Sequence, residues 1–262
     1  MLFESESHKA GQVAISVRNL NLIYKTTVQK KPTFRQALTR TGRKIRTVNA
    51  LTNLNLEIPY GSVLGVIGAN GAGKSSLMRV VAGIVPPTAG RVEVYGQVST
   101  LLSLGVGFNS RLTGRENVIL GGLAAGLTKS EIEDQFSAIA DFADIGEAID
   151  SPMKTYSAGM YSRLAFAVAV VVEPDVLIVD EALSTGDAKF KKKCLERIKS
   201  LRSHNRAIII VSHALATIND ICNDVLWLNQ GKIMMRGEPG AVIAAYKESL
   251  QVAASPSADE DV

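Results

Sequence analysis

One glycine-rich segment has the residue types and the spacing of a phosphate-binding loop. It matches the pattern G-x-x-x-x-G-K-[ST] between an apolar strand at Ser62–Ile67 and a helical stretch at Ser76–Gly83. Glycines allow consecutive backbone N–H groups to turn inward around phosphate oxygens, and the following helix adds the positive end of its dipole. A chance match in a chain of this composition is roughly a one-in-a-hundred event. The segment predicts a nucleoside triphosphate site formed by Gly68, Ala69, Asn70, Gly71, Ala72, Gly73, Lys74, Ser75 and Ser76.

Two consecutive carboxylates follow a second apolar strand. Val176–Val179 ends in Asp180 and Glu181, which point in different directions because they are successive residues leaving a strand. With a phosphate loop upstream, we expect Asp180 and the Ser75 hydroxyl to hold Mg²⁺ and Lys74 to neutralise the β- and γ-phosphates. Glu181 would polarise the attacking water. The alternative is an acidic pair that merely leaves a strand into a polar loop. A GTPase is disfavoured because the chain has no N-K-x-D motif.

Composition narrows the class of protein further. The chain has 262 residues, 46% of them hydrophobic, so it can bury the core of a single domain. Its longest apolar run, Leu164–Val172, has nine residues, whereas a membrane-spanning helix needs about 20. The first ten residues include two glutamates and no apolar core, which disfavours a secretory signal. Cys194 and Cys222 lack metal-ligand spacing, and we expect reduced thiols in a cytoplasmic protein.

The positive charge of the chain is concentrated near its N-terminus. Residues 1–50 contain ten Lys and Arg against two Glu, and the segment from Lys25 to Arg46 contains eight basic residues and no acidic one. Within an insert of about 25–49, Thr33–Arg46 predicts a short basic amphipathic helix whose apolar face includes Phe34 and Leu38. The alternative is a solvated surface helix with no partner. The last residues, about 251–262, predict an acidic tail without structure.

Strand-like and helical stretches alternate along most of the chain, which predicts an α/β fold with a mostly parallel sheet. The stretch from Thr113 to Val172 has no strand pattern and predicts a helical lobe at about 110–172. Two helices within it have S-or-T-x-x-E capping boxes, beginning at Thr113 and Thr128. The predicted strands are Val13–Val17, Leu54–Ile58, Val63–Ile67, Val98–Leu102, Val176–Val179, Ala207–Val211 and Val225–Leu228.

Five motifs in order resemble those of the ATP-binding cassette (ABC) ATPases. They are the phosphate loop, the Tyr156–Met160 segment in place of the signature L-S-G-G-Q, Asp180-Glu181, the D-loop-like Ser184–Asp187 and the histidine motif Val211–His213. The resemblance covers residues 13 to about 250. It implies a P-loop NTPase cassette with an N-terminal β subdomain and a helical lobe, and ATP and Mg²⁺ as cofactors.

Several segments are similar to the ATPase subunits of exporters of polysaccharide, O-antigen or teichoic acid. They are Tyr156–Met160, Leu104–Phe108, Leu112–Asn117, Val179–Asp187 and the basic insert. The resemblance implies a homodimer at the cytoplasmic face of the inner membrane, beneath two copies of a polytopic membrane subunit. Its ATPase activity would power the export of a lipid-linked cell-surface polysaccharide, without nucleic acid. Two alternatives stay open: an ABC exporter of a lipid or drug, and a soluble ABC protein that acts on ribosomes or nucleic acid.

The resemblance also assigns site residues. Ser157, Ala158, Gly159 and Met160 would act on the ATP of a second copy, because the signature cannot reach its own phosphate loop in this architecture. His213 would contact the γ-phosphate, Asn109 aligns with the Q-loop glutamine, and Asp187 belongs to the D-loop. Tyr24 would stack on adenine, or else it is a packed aromatic residue at a strand end.

Overall fold

The computed structural model describes residues 11–28, 44–101, 108–180 and 187–254. The strands within these ranges are β1 (Val13–Val28), β2 (Lys44–Pro59), β3 (Val63–Ile67), β4 (Ala89–Val94), β5 (Val98–Thr100), β6 (Val176–Asp180), β7 (Ala207–Val211), β8 (Asp224–Asn229) and β9 (Lys232–Gly237). The α-helices are α1 (Lys74–Val81), α2 (Gly114–Ala124), α3 (Lys129–Ala143), α4 (Ala158–Val171), α5 (Ala188–Ser203), α6 (Leu215–Ile221) and α7 (Pro239–Ala254).

A six-stranded sheet forms the centre of the molecule, in the order β5-β6-β7-β3-β8-β9. The first five strands are parallel and β9 is antiparallel to β8. Every residue of β3 and β7 is buried, because helices cover one face of the sheet and α1 with a second sheet covers the other. The predicted α/β fold with a mostly parallel sheet is therefore confirmed.

Two strands of the structure had no counterpart in the sequence prediction. β4 has no buried residue, and β9 is an edge strand with exposed methionines, Met234 and Met235. Their sequences lack a clear apolar pattern, and both form through pairing with a neighbour. β9 follows β8 through Gln230 and Gly231, which both have positive φ, as a tight hairpin turn requires.

A three-stranded antiparallel sheet, in the order β2-β1-β4, forms the predicted N-terminal β subdomain. β1 and β2 are much longer than predicted and remain paired out to Val28 and Lys44. The predicted limits of the insert, 25–49, are therefore wrong, since residues 25–28 and 44–49 belong to strands. The predicted basic helix is wrong at its end, since residues 44–46 are in β2, where cross-strand pairing outweighs the helical pattern. Its remaining residues, 33–43, lie outside the described residues.

The region from Thr113 to Val171 contains α2, α3, α4 and two 3₁₀ turns, Gly146–Asp150 and Met153–Thr155. Both predicted capping boxes are present: the hydroxyls of Thr113 and Thr128 accept hydrogen bonds from the backbone N–H three residues on. The core of this region is continuous with that of the central sheet. The rings of Phe142 (α3), Phe166 (α4) and Phe190 (α5) form a three-membered cluster in which each pair of centroids is 5.9 to 6.1 Å apart.

At the C-terminal end, α7 continues to Ala254, so residues 251–254 are helical rather than part of the predicted tail. Residues 255–262 lie outside the described residues. No helix in the described part of the chain has the length and apolar character needed to span a membrane.

Candidate functional site

Three neighbouring strands end at one edge of the central sheet and bring the predicted site residues together. In the register of the sheet, Val66 of β3 is level with Val211 of β7, and Val211 is level with Asp180 of β6. Neighbouring strands lie about 4.8 Å apart. The phosphate loop leaves β3 at Gly68, and His213 lies two residues beyond the end of β7. The carboxyl edge of a parallel sheet is where α/β proteins bind ligands.

The phosphate loop has a backbone that depends on glycine. Gly68 and Gly73 have φ values of 149° and 107°, which side chains with a Cβ rarely adopt. A Cβ on Gly68 would overlap the carbonyl oxygen of Leu228, and one on Gly73 would lie 2.7 Å from the carbonyl oxygen of Ala50. Gly73 is also the residue before α1, so the loop leads directly into the N-terminus of that helix.

Lys74 is buried inside the loop, with 7% of its surface exposed. Its Nζ donates hydrogen bonds to the carbonyl oxygens of Gly68 and Ala69, at 2.7 and 3.0 Å. The ammonium group is therefore held at the centre of the loop, where it can interact with phosphate oxygens bound by the surrounding N–H groups. Ala69, Asn70 and Ser75 are exposed around it.

The turn between β8 and β9 supports the outside of the phosphate loop, and no sequence motif predicts this contact. The N–H of Gly231, in the β8–β9 turn, donates to the carbonyl oxygen of Ala72 at 2.9 Å. The carbonyl oxygen of Gly231 accepts from Thr52 of β2 at 2.8 Å. The loop is thus hydrogen-bonded to the β8–β9 turn, and that turn is hydrogen-bonded to β2, which comes from a distant part of the sequence. A Gln-Gly turn is the only local signal of this contact, and it does not identify the partner.

The oxygen groups that could hold Mg²⁺ are the hydroxyl of Ser75 and the carboxylate of Asp180. Ser75 lies in the first turn of α1, and the half-buried Asp180 ends β6. In the described ranges, no group of three or more His, Cys, Asp or Glu side chains could hold a metal ion. A hydroxyl and a carboxylate suit Mg²⁺, which usually takes one or two protein oxygens together with substrate phosphates. The predicted catalytic residue Glu181 lies outside the described residues.

His213 is exposed just beyond β7, after a turn that holds the backbone. The hydroxyl of the buried Ser212 accepts a hydrogen bond from the N–H of Ala214 at 3.1 Å. The turn therefore fixes the backbone of His213. β7, which precedes His213, lies between β6, which ends in Asp180, and β3, which precedes the phosphate loop.

The signature segment begins α4. Ser157 is the N-cap residue, and its Oγ accepts from the N–H of Met160 at 3.2 Å. Ser157 and Ala158 are exposed, and Gly159 and Met160 are half-buried. The helix N-terminus therefore faces outward, where it can meet an anion on another molecule.

Asn109, at the Q-loop position, has its side chain engaged in its own turn. Its Oδ1 accepts from the N–H of Arg111 at 3.0 Å, and its backbone N–H donates to Oδ1 of Asn117 at 2.6 Å. Asn117 is completely buried in the first turns of α2. In the sequence, Asn117 is distinguished only as the last residue of the Leu112–Asn117 motif, and that motif alone predicts no role for it.

Asp187, at the D-loop position, is the N-cap residue of α5 and accepts from the N–H of Phe190 at 2.8 Å. Its carboxylate also accepts a hydrogen bond from the guanidinium of Arg163, on α4. The Phe190 N–H and the positive charge of Arg163 hold the pKa of Asp187 below its ordinary value. Arg163 belongs to none of the five sequence motifs, so no local pattern predicts this contact.

Tyr24 lies in β1 opposite Val48 of β2, and its ring packs against the core beneath the second sheet. Its buried hydroxyl has no hydrogen-bond partner among the described residues. The partly exposed ring lies beside the exposed side chain of Val48. The structure thus shows the packed aromatic residue that the sequence left as an alternative, and stacking on adenine stays a prediction.

Comparisons with known proteins bear on the family and the fold of this chain. The family model described as ABC transporter matches residues 51–184, more than half of the chain. The O-antigen export system ATP-binding protein RfbB of Myxococcus xanthus is 41% identical over 219 residues, covering 84% of this chain and 50% of that protein. The teichoic acids export ATP-binding protein TagH of Bacillus anthracis is 41% identical over 202 residues, covering 77% of this chain.

This chain spans half the length of the Myxococcus relative and 37% of the length of the Bacillus relative. Among solved structures, a bacterial ABC transporter cassette, MJ0796, determined as a dimer, has the same fold with a TM-score of 0.70. It is 19% identical to this chain, and the alignment covers 86% of this chain and 98% of the cassette.

Proposed function

We propose, from the premise that this chain belongs to the ABC transporter family, that it hydrolyses ATP to power the export of a lipid-linked cell-surface polysaccharide. The family match confirms the family predicted from the five sequence motifs. The relatives named above, which are ATP-binding proteins of O-antigen and teichoic acid export systems, support the substrate class.

The observation that carries the ATPase proposal is the shared sheet edge of the phosphate loop, Asp180 and His213. Lys74 and the loop N–H groups bind the β- and γ-phosphates and neutralise their charge. Ser75 and Asp180 would hold Mg²⁺, which supplies further charge neutralisation when it is bound with ATP. Glu181, the residue after Asp180, polarises the attacking water, and His213 stabilises charge on the γ-phosphate in the transition state.

The exposed position of the signature supports an ATP site that is complete only when two copies of the chain associate. Ser157 and the backbone of Gly159 present a helix N-terminus to the outside of the molecule, as an anion site of another subunit would require. In the head-to-tail dimer that we propose, each signature closes on the ATP bound by the phosphate loop of the other copy. The dimeric cassette of the same fold is consistent with this arrangement.

We propose that two copies of a separate polytopic membrane subunit form the export channel, with this dimer bound at the cytoplasmic face of the inner membrane. Hydrolysis would then separate the two copies of this chain and reset the membrane subunits. The lipid-linked polymer contacts the membrane subunits rather than the ATP site, where the described residues Lys74, Ser75 and Asp180 suit phosphate and Mg²⁺.

Replacement of the chromosomal gene by a Lys74→Ala variant tests this function in the cell. We expect surface polysaccharide to disappear and lipid-linked polymer to accumulate on the cytoplasmic side. The matched control is Lys199→Ala, which changes an exposed lysine on α5. Normal surface polymer in the Lys74→Ala strain, at a normal protein level, would contradict the proposal.

A further inference from the structure

Asn117 joins the Q-loop position to the start of α2 through a buried set of hydrogen bonds. Its Oδ1 accepts from the N–H of Asn109 at 2.6 Å. Its Nδ2 donates to the carbonyl oxygens of Asn109, Leu112 and Thr113, at 3.0, 3.3 and 2.8 Å. None of its surface is exposed. One side chain therefore fixes the whole turn from residue 109 to residue 113.

The same turn is hydrogen-bonded to the segment that leads into the signature. The N–H of Met153 donates to the carbonyl oxygen of Leu112 at 2.9 Å, and the N–H of Lys154 donates to that of Ser110 at 2.8 Å. Gly114 donates back to Ser151 at 3.3 Å. We call residues 109–114 and 151–157 the paired turns. Asn109 lies in one of them and Ser157 ends the other.

Tyr156 locks the second turn immediately before Ser157. Its hydroxyl donates to the carbonyl oxygen of Ala148 at 2.6 Å, and it lies against Gly114 where a Cβ would otherwise be. The ordinary pKa of a tyrosine hydroxyl lies well above neutral pH, and burial raises the pKa of Tyr156 further, so this hydroxyl is protonated and can donate at neutral pH. The two turns are thus connected by backbone hydrogen bonds and by the contact of Tyr156 with Gly114, whereas Asn117 fixes the shape of the first turn.

We infer that Asn117 is a positioning residue. It holds the first of the paired turns in the shape that the backbone hydrogen bonds to the second turn require, so that the two turns move as one body. This inference rests on the proposed dimer, in which Asn109 faces the ATP of its own subunit and Ser157 faces the ATP of the other. A change at Asn109 in one site is then passed to the signature of the opposite site. Asn suits this role because its amide both accepts from one backbone group and donates to others.

A mixture of two inactive variants tests this role. Lys74→Ala inactivates the phosphate loop of one subunit, because it removes the ammonium group that binds phosphate. Ser157→Arg blocks the signature of the other subunit. Their mixed dimer retains one sound site, which uses the phosphate loop and Asn109 turn of the Ser157→Arg subunit and the signature of the Lys74→Ala subunit. We expect the mixture to recover part of the ATPase activity that each variant lacks alone.

Asn117→Leu is then added to either subunit. Added to the Ser157→Arg subunit, it releases the Asn109 turn of the sound site. In the Lys74→Ala subunit, it can affect the sound site only through the signature, because the signature is the only part that this subunit contributes to that site. We expect the recovered kcat to fall about tenfold in both placements, with the KM for ATP little changed, because misplacement of catalytic groups affects the transition state more than binding.

Two further variants separate positioning from loss of folding. Asn117→Asp keeps the acceptor for the Asn109 N–H and loses the donors, so it should fall between wild type and Asn117→Leu in both placements. The control is Asn223→Leu, which removes an asparagine that accepts from the N–H of Val63 at 2.8 Å at the opposite edge of the sheet. It should lower the melting temperature and leave the recovered kcat unchanged.

The outcomes distinguish this inference from the function on which it rests. If the mixture recovers no activity although mixed dimers form, the proposed composite site is wrong. If the mixture is active and Asn117→Leu lowers the rate in one placement only, or in neither, the paired turns do not couple the two sites. If Asn223→Leu lowered the recovered kcat as much as Asn117→Leu, Asn117 would have only a structural role, and the inference would be wrong.

Discussion

Arg163 of the signature helix donates a hydrogen bond to the carboxylate of Asp187, the residue that begins α5 after the D-loop. The same guanidinium donates to the carbonyl oxygen of Asp144, at the C-terminus of α3, at 3.0 Å. It also lies over the ring of Phe190, 5.1 Å from the centroid. One side chain, six residues after Ser157, therefore connects the signature helix to two other elements.

Replacement of Arg163 should uncouple the signature helix from Asp187. We expect Arg163→Ala to lower the kcat for ATP about tenfold, because Asp187 loses the cation that orients it, with little change in nucleotide affinity. Steady-state ATPase assays and binding of a fluorescent ATP analogue would measure the two effects separately.

Arg197 provides a matched control for Arg163. It is similarly buried, and it donates to the carbonyl oxygen of Val170 and to the carboxylate of Glu173 at the far end of α4. Arg197→Ala should lower the melting temperature and leave kcat nearly unchanged. Equal losses of kcat in the two variants would mean that Arg163 contributes only to stability.

Gly114 and Tyr156 should show a strong stability coupling. A Cβ on Gly114 would overlap the Tyr156 hydroxyl and lie 2.9 Å from the carbonyl oxygen of Ile149. We expect Gly114→Ala to cost about 1–3 kcal/mol of unfolding free energy. Tyr156→Phe alone should cost about 1 kcal/mol, since it removes the bond to Ala148. In the Gly114→Ala background, Tyr156→Phe should instead restore part of the lost unfolding free energy, because it removes the oxygen that overlaps the new Cβ.

Denaturant unfolding of the single and double variants measures this coupling. Gly240→Ala is the control, because Gly240 lies in the first turn of α7 and its Cβ would meet only the flexible carboxylate of Glu238, at 3.2 Å. It should be neutral or slightly stabilising, since alanine favours helix. Additive losses in the Gly114→Ala, Tyr156→Phe double variant would show that the two positions do not interact as the structure indicates.

The parts of the fold that sequence could predict are those decided by local pattern. β3, β6 and β7 are short apolar runs, and their burial on both faces follows from that composition. The capping boxes at Thr113 and Thr128 depend on side chains only three residues apart. The phosphate loop was predictable for the same reason, because its motif is continuous.

The remaining features depend on contacts between distant segments. Asn117 is buried because its turn packs against residues near Met153, and no pattern around Asn117 reports that contact. Lys25 was assigned to the insert and Arg46 to the helix within it, but Lys25 lies in β1 and Arg46 lies in β2, and these two strands pair. Arg163 and Asp187 are separated by 24 positions and meet only when α4 and α5 pack.

Glu181→Gln should keep ATP binding and stop hydrolysis, because an amide cannot accept the proton of the attacking water or polarise it strongly. In the presence of ATP and Mg²⁺, the variant should elute as a dimer on size exclusion. Glu196→Gln, which removes an exposed carboxylate of α5, should behave like wild type. A Glu181→Gln protein that stays monomeric with ATP and hydrolyses it at the wild-type rate would refute the role given to Glu181.

The two-stranded ribbon at the end of the small sheet flanks a segment whose sequence is strongly basic. β4 last pairs with β1 at Asn21, whereas β1 and β2 remain paired out to Val28 and Lys44. The residues between them, 29–43, contain five of the eight cations found between Lys25 and Arg46. The ATP site does not need this charge, and we propose that it contacts anionic headgroups or the membrane subunit beside them.

Reversal of three charges should therefore impair export and spare the isolated enzyme. We expect the combined change Arg40→Glu, Arg43→Glu and Lys44→Glu to leave the ATPase rate of the isolated subunit near wild type. Each cation near an anionic membrane surface contributes about 1 kcal/mol of binding, so surface polymer should fall several-fold. The control, Lys191→Glu with Lys199→Glu and Arg202→Glu, makes the same change in net charge on exposed positions of α5. If export is unchanged in the first variant at a normal protein level, the proposal is wrong and the basic segment is a solvated surface without a partner.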